Sequence, residues 1–201
     1  MKRFLWIAIY CAVLAWSAVR PKDTVIWWLE VAPALAAAVA LALTWKRFRL
    51  TTLVYTLILI HCLILMVGGH YTYAEVPLFD WLRDYFALQR NNYDKIGHLA
   101  QGFIPALVAR EILIRRQVVN GRKWLNFLLV CFCLALSACY ELIEWWVAAL
   151  SGEAADAFLG TQGYIWDTQS DMALALLGAV LALTCFSRLH DRQLQPFINP
   201  A

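Results

Sequence analysis

Acids and histidines stand in this chain where apolar sequence makes them costly. In and just after "NNYDKIGHLAQGF", Asn91 to Phe103, the residues Asp94, His98, Gln101 and Pro105 fall at offsets of 0, 4, 7 and 11. That spacing is one stripe of a helix. "YELIEWW", Tyr140 to Trp146, puts Glu141 and Glu144 three apart, and "GYIWDTQSDM" puts Asp167 and Asp171 four apart. Each pair shares a helix face. In "GGHYTY", Gly68 and Gly69 permit a sharp exit from an apolar run, and His70 follows at once. Glu30 lies early in another run, with Pro33 close by. An Asp, Lys or Arg at a helix centre in a bilayer costs about 2.5–3.5 kcal/mol on insertion scales, so these positions are informative.

Histidine with several carboxylates is a ligand set for a divalent metal ion, supplied from facing helices of a bundle. The same groups can act as general acid and base, or relay protons and ions. The candidate metal ligands are His70, Asp94, His98, Glu141, Glu144, Asp167 and Asp171. Glu141 and His98 are the candidate acid–base residues. Taken singly, Asp94 and Asp167 can instead cap helices, because acids favour helix N-termini. His61, alone in mid-run, is expected to be a hydrogen-bonded structural histidine.

The elements that carry these residues follow from composition. The chain has 201 residues, 62% hydrophobic and 15% charged, with a mean hydropathy of +0.60. A soluble domain is nearer half apolar and a quarter charged. The expected fold is all-α: a polytopic transmembrane helix bundle forming one integral membrane domain over residues 1–201. Six runs approach the roughly 20 residues needed to cross a hydrocarbon core of about 30 Å. They lie near residues 4–19, 25–45, 50–69, 95–114, 124–147 and 168–187. In "PLFDWLRDYFALQR", Leu78, Phe79, Leu82, Tyr85 and Phe86 recur at helical spacing, opposite Asp80, Arg83 and Asp84. That pattern predicts a short amphipathic helix on the membrane surface or capping the bundle. No basic cluster alternates with stacking aromatics, which argues against nucleic-acid binding.

Basic residues give the orientation. Lys2, Arg3, Lys46, Arg47, Arg49, Arg110, Arg115, Arg116, Arg122, Lys123, Arg188 and Arg192 fall on one side. The loop from Ser151 to Asp167 has no basic residue. Both termini are therefore expected in the cytoplasm of a bacterial inner membrane. The first span resembles a signal peptide ending in "AWSA" but is expected to remain uncleaved. Glu141 lies seventeen residues after Trp124, about 26 Å along a helix. Groups from five spans thus gather in one layer at the outer leaflet, with few outer arginines to pair them. At the inner face only Glu111 is expected among basic neighbours.

No phosphate-binding loop, G-x-S-x-G or H-E-x-x-H occurs, and "GTQG" at Gly160 to Gly163 has no following Lys and reads as a turn. The six cysteines lie in apolar runs without C-x-x-C spacing, which predicts small buried hydrophobes rather than disulfides or a thiolate metal site.

The blocks "GGHYTY", "NNYDKIGHLAQGF", "YELIEWW" and "GTQGYIWDTQSDM" resemble the YjdF family of bacterial inner-membrane proteins over nearly the whole chain. That resemblance implies location and topology. The C-terminal half is also similar to the VanZ-like family, which has Asp-Lys-x-x-His, a Glu three before a Gln, and an Asp four before an Asn. Asp94, Lys95, His98, Glu141 and Asp167 match; Glu144 and Asp171 replace the Gln and Asn. The replacements make the site more acidic, favouring a cation or a shared proton. Such a site suits a lipid or cell-envelope substrate; a coupled transporter or a structural role are the alternatives.

Overall fold

The structure, a computed structural model, describes residues 3–151 and 161–198. Lys2, Gly160 of the "GTQG" turn and much of the acidic loop before Asp167 lie outside the described residues. Among the described residues the chain is helical, with no strand. The helices are α1 (Arg3–Ala18), α2 (Thr24–Thr44), α3 (Thr52–Tyr71), α4 (Pro77–Tyr85), α5 (Tyr93–Arg115), α6 (Arg122–Ser151), α7 (Asp167–Leu181) and α8 (Ser187–Ile198). A π-helical stretch, Ala182–Phe186, joins α7 to α8.

A helix covers each of the six apolar runs. Four are long and apolar enough to cross a membrane: Thr24–Thr44, Thr52–Tyr71, Arg122–Leu150 and Asp167–Ile198. α1 is apolar but has only 16 residues, and α5 carries His98, Gln101, Arg110 and Glu111 along its length. α2 starts at Asp23, whose Oδ1 accepts from the amides of Val25 at 2.7 Å and Ile26 at 3.0 Å. This side-chain cap satisfies helix-start donors. α3 begins at Thr51, which caps Val54 N.

α5 is the hub, packed against α3, α6 and α7. Its contact with α7 is the closest, because Gly102 faces Ala175 and Gly178 faces Leu99. A Cβ at either glycine would overlap the carbonyl across the interface. Small residues let helix backbones approach in this way. Val31, Val54, Met66, Leu107 and Leu129 are fully buried between helices. The outward side of α6 instead exposes Phe127, Phe132, Trp145 and Trp146. Such extensive apolar exposure suits a lipid surrounding better than water.

Some expectations change. α3 does not leave its run at Gly68 and Gly69; it continues to Tyr71, and the chain turns at Thr72, with φ of +63°. Gly68 serves packing instead, because a Cβ there would strike the Tyr73 ring. Cys62 and Cys133 are buried, but Cys11, Cys131, Cys139 and Cys185 are exposed. An apolar run does not imply burial when the surroundings are apolar too.

Glu111 has more than basic neighbours. At the end of the bundle that carries the chain termini, its carboxylate accepts from Thr51 N at 3.0 and 3.1 Å, Thr51 Oγ1 at 2.8 Å and Arg115 at 2.8 Å. His190 Nε2 lies 3.1 Å from it, and Arg110 bridges His190 and Asp191. The network ties α5 to α8 and the start of α3.

Candidate functional site

The site lies toward the opposite end, where α4 sits, and α5 enters it on a fixed start. Asn91 is fully buried. Its Nδ2 donates to Val76 O at 3.1 Å and Asp80 Oδ1 at 3.0 Å, while its Oδ1 accepts from Tyr93 N. Gln162 pairs in both directions with the Asn91 backbone. The charged face of α4 thereby turns toward the bundle through Asp80, while Leu78, Trp81, Tyr85 and Phe86 are exposed.

From this start the predicted stripe faces inward. Asp94, His98, Gln101 and Pro105 line one cavity of about 140 Å³, with Glu30 and Pro33 from α2, His61 and Leu65 from α3, and Tyr140 and Glu144 from α6. His98 is the centre. Its Nε2 lies 3.2 Å from Asp94 Oδ1 and 3.9 Å from Asp171 Oδ2. Its Nδ1 faces Gln101 Oε1 at 3.3 Å and Glu141 Oε1 at 3.7 Å. Asp94, His98 and Asp171 each offer a ligand atom within 4.8 Å of the others, and all three are buried. Tyr140 donates its hydroxyl to Glu30 Oε2 at 3.3 Å. Burial, and then the Glu30 carboxylate, push the Tyr73 hydroxyl well above its usual range, so Tyr73 stays protonated.

Asp94 and Asp167 stand in the first turns of α5 and α7, where the helix dipole favours an acid, although Asn92 and Trp166 before them make no side-chain capping bonds. Cations compensate the acids as well. Lys95 Nζ reaches Asp171 Oδ1 at 2.6 Å and Asp167 Oδ1 at 2.7 Å. Arg90 lies 2.5 Å from the same Asp167 oxygen and 3.7 Å from Asp94 Oδ2. The expected shortage of positive partners is therefore met by two residues. Arg90 stands four before Asp94, a spacing that could have flagged it. Lys95 was marked only by the Asp-Lys-x-x-His resemblance, and tertiary packing is what brings it to α7.

His70 joins a different neighbourhood. Its Nδ1 is 3.0 Å from Ser17 O, and its ring lies against Trp16 and Tyr71. It helps hold α1 to α3. His61, expected to be hydrogen-bonded, makes no hydrogen bond within the chain among the described residues and lines the cavity wall. Glu144 and Tyr140 lie on the cavity wall with Glu30, beside the His98 cluster.

The donors suit a divalent ion. An imidazole flanked by carboxylates from two helices is a common transition-metal environment. If Nδ1–H donates to Gln101, the Nε2 lone pair points between Asp94 and Asp171. An acceptor hydrogen-bonded to the far ring nitrogen is the usual way to fix the tautomer and orientation of a ligating histidine. Two buried oxygens, Asp94 Oδ2 and Glu141 Oε1, have no hydrogen-bond partner. Lys95 already occupies Asp171 Oδ1 and would compete with any cation there.

Apolar helices exposing aromatic side chains, with a buried ionic cluster inside, define a polytopic helical membrane protein. A family model described as "Predicted membrane protein (DUF2238)" matches residues 2–192. The chain belongs to that family, and it is an inner-membrane protein set in a lipid bilayer. It is 51% identical over 185 residues to Inner membrane protein YjdF of Escherichia coli (strain K12), covering 92% of this chain and 88% of the relative. No solved structure matches the chain.

Proposed function

We propose that this protein is a cation-dependent membrane enzyme whose site faces the outer leaflet. In this reading six helices cross the bilayer as one domain, both termini are cytoplasmic, and α4 lies at the outer surface. The observation that carries the proposal is the convergence of Asp94, His98 and Asp171 on one centre. His98 Nε2 and the two aspartates would hold a divalent ion, which would polarise a substrate oxygen or activate water. Glu141, whose Oε1 lies 3.7 Å from the opposite ring nitrogen, His98 Nδ1, and has no hydrogen-bond partner, would move the proton. Glu144 and Glu30 add negative charge to the cavity wall.

The substrate fits a lipid or a lipid-linked envelope molecule. A second cavity of about 530 Å³ shares Pro33, His61, Leu65 and Pro105 with the polar one and continues toward Phe48 and Leu50. Apolar walls of that length suit a hydrocarbon chain, with the headgroup left among the carboxylates.

Metal content of the purified protein tests the proposal. We expect one equivalent of a divalent ion, reduced at least about tenfold in His98→Ala and Asp171→Asn, since outer partners alone are worth 10–100-fold in affinity. Metal bound equally by both variants would exclude this site. Lys95 supports a second reading, in which the acids serve only to clamp α5 to α7. Metal-free wild type with normal function in cells would favour it.

A further inference from the structure

A larger cavity lies elsewhere, between α1, α2 and the start of α3 at the end with the chain termini. It measures about 880 Å³, within the size range of ligand pockets. Its walls include Trp6, Ile7, Leu41, Leu43 and Tyr55, and its rim carries Arg3, Lys46 and Arg47. Trp6 is held in place by its Nε1 bond to Tyr55 O at 2.8 Å. Arg3 stacks over Trp45 at 4.4 Å, and Arg49 approaches the same ring at 5.5 Å. Among the described residues, Arg3, Lys46 and Arg47 have no carboxylate at ion-pair distance. At the α4 end, by contrast, Arg90 and Lys95 are paired with aspartates. Cations left without acids above an apolar cavity call for an anion that carries its own hydrocarbon.

We propose that this cavity binds an anionic phospholipid of the cytoplasmic leaflet. The phosphate meets Arg3, Lys46 and Arg47, and an acyl chain lies along Trp6, Leu41 and Leu43. Basic pockets between helices on the cytoplasmic side recognise anionic headgroups in this way. The proposal shares the orientation given above and is independent of the His98 chemistry. A bound lipid would tie α1 to α2, which otherwise leave this cavity between them.

Native mass spectrometry of delipidated protein, titrated separately with phosphatidylglycerol and phosphatidylcholine of equal chain length, tests it. Wild type should prefer phosphatidylglycerol at least about tenfold, given the binding contribution of each basic residue near a headgroup. The variant R3Q/K46Q/R47Q should lose that preference while keeping its helical content. Ala42→Trp, which fills the cavity, should weaken both lipids. Glycerol phosphate, the headgroup without chains, should not compete. Equal affinity for both lipids in wild type, retained preference in the triple variant, unchanged binding by Ala42→Trp, or full competition by glycerol phosphate would each overturn the proposal. Should Ala42→Trp fail to fold, the charge variant still decides.

Discussion

The two ends of the bundle use the same residue types in different ways. At the terminus end, Glu111 is fully buried, yet donors from Thr51, His190 and Arg115 surround both of its oxygens. At the α4 end, Asp94, Asp171, Glu141 and Glu144 are about as buried, but Asp94 Oδ2 and Glu141 Oε1 accept no hydrogen bond. Each end leaves a buried polar atom unpaired, Arg110 Nε beside Glu111 and Asp94 Oδ2 and Glu141 Oε1 at the α4 end, but only the α4 end leaves carboxylate oxygens so; a partly satisfied buried network is costly. Under the proposed function, that difference in carboxylate acceptors separates a structural lock from a candidate reactive site.

Breaking the lock should have the largest effect on stability. Glu111→Ala leaves His190 and Arg115 without their buried acceptor. Removing one partner of a buried pair costs about 3–5 kcal/mol. Thermal unfolding in detergent should show that loss, with bound metal per folded protein unchanged. A small shift would mean that the two ends do not differ as described.

Lys95→Met should have an intermediate effect and sharpen the contrast most. Asp171 Oδ1 loses its donor, and Asp167 keeps only Arg90. An unsatisfied buried charged group costs about 1–3 kcal/mol or somewhat more. If Lys95 competes with a divalent ion for Asp171, isothermal titration should find the variant binding that ion more tightly and regaining stability in its presence. Lost stability with no gain in ion affinity would support the clamp instead.

Glu141→Gln should have the smallest effect on stability, under about 1 kcal/mol, because its Oε1 has no donor to lose. A melting temperature close to wild type together with weaker ion binding would assign Glu141 to the chemistry. A large drop in melting temperature would move it to the structural class.

The helical architecture was legible in sequence because hydropathy and length suffice to mark apolar helices, and each of the six runs is helical. The stripe Asp94, His98, Gln101 and Pro105 was legible as well, since helix periodicity fixes which residues share a face. Periodicity says nothing about which other helix that face meets. His70 looked equivalent to His98 by depth, but α3 runs on to Tyr71 and delivers it to Ser17 and Trp16. Nothing in the sequence pointed to His190 and Asp191, which α8 brings to Glu111 and Arg110.

By itself, then, the sequence determined that this is a helical membrane protein, where its helices run, and which acids and histidines share a helix face. Those properties depend on local composition and a period of 3.6 residues. Only the tertiary structure decided that Lys95 crosses from α5 to α7, that Asp171 rather than His70 completes the His98 cluster, and that Glu111 is satisfied while Glu141 is not. Those outcomes depend on contacts between distant segments, set here by how closely Gly102 and Gly178 let two backbones approach.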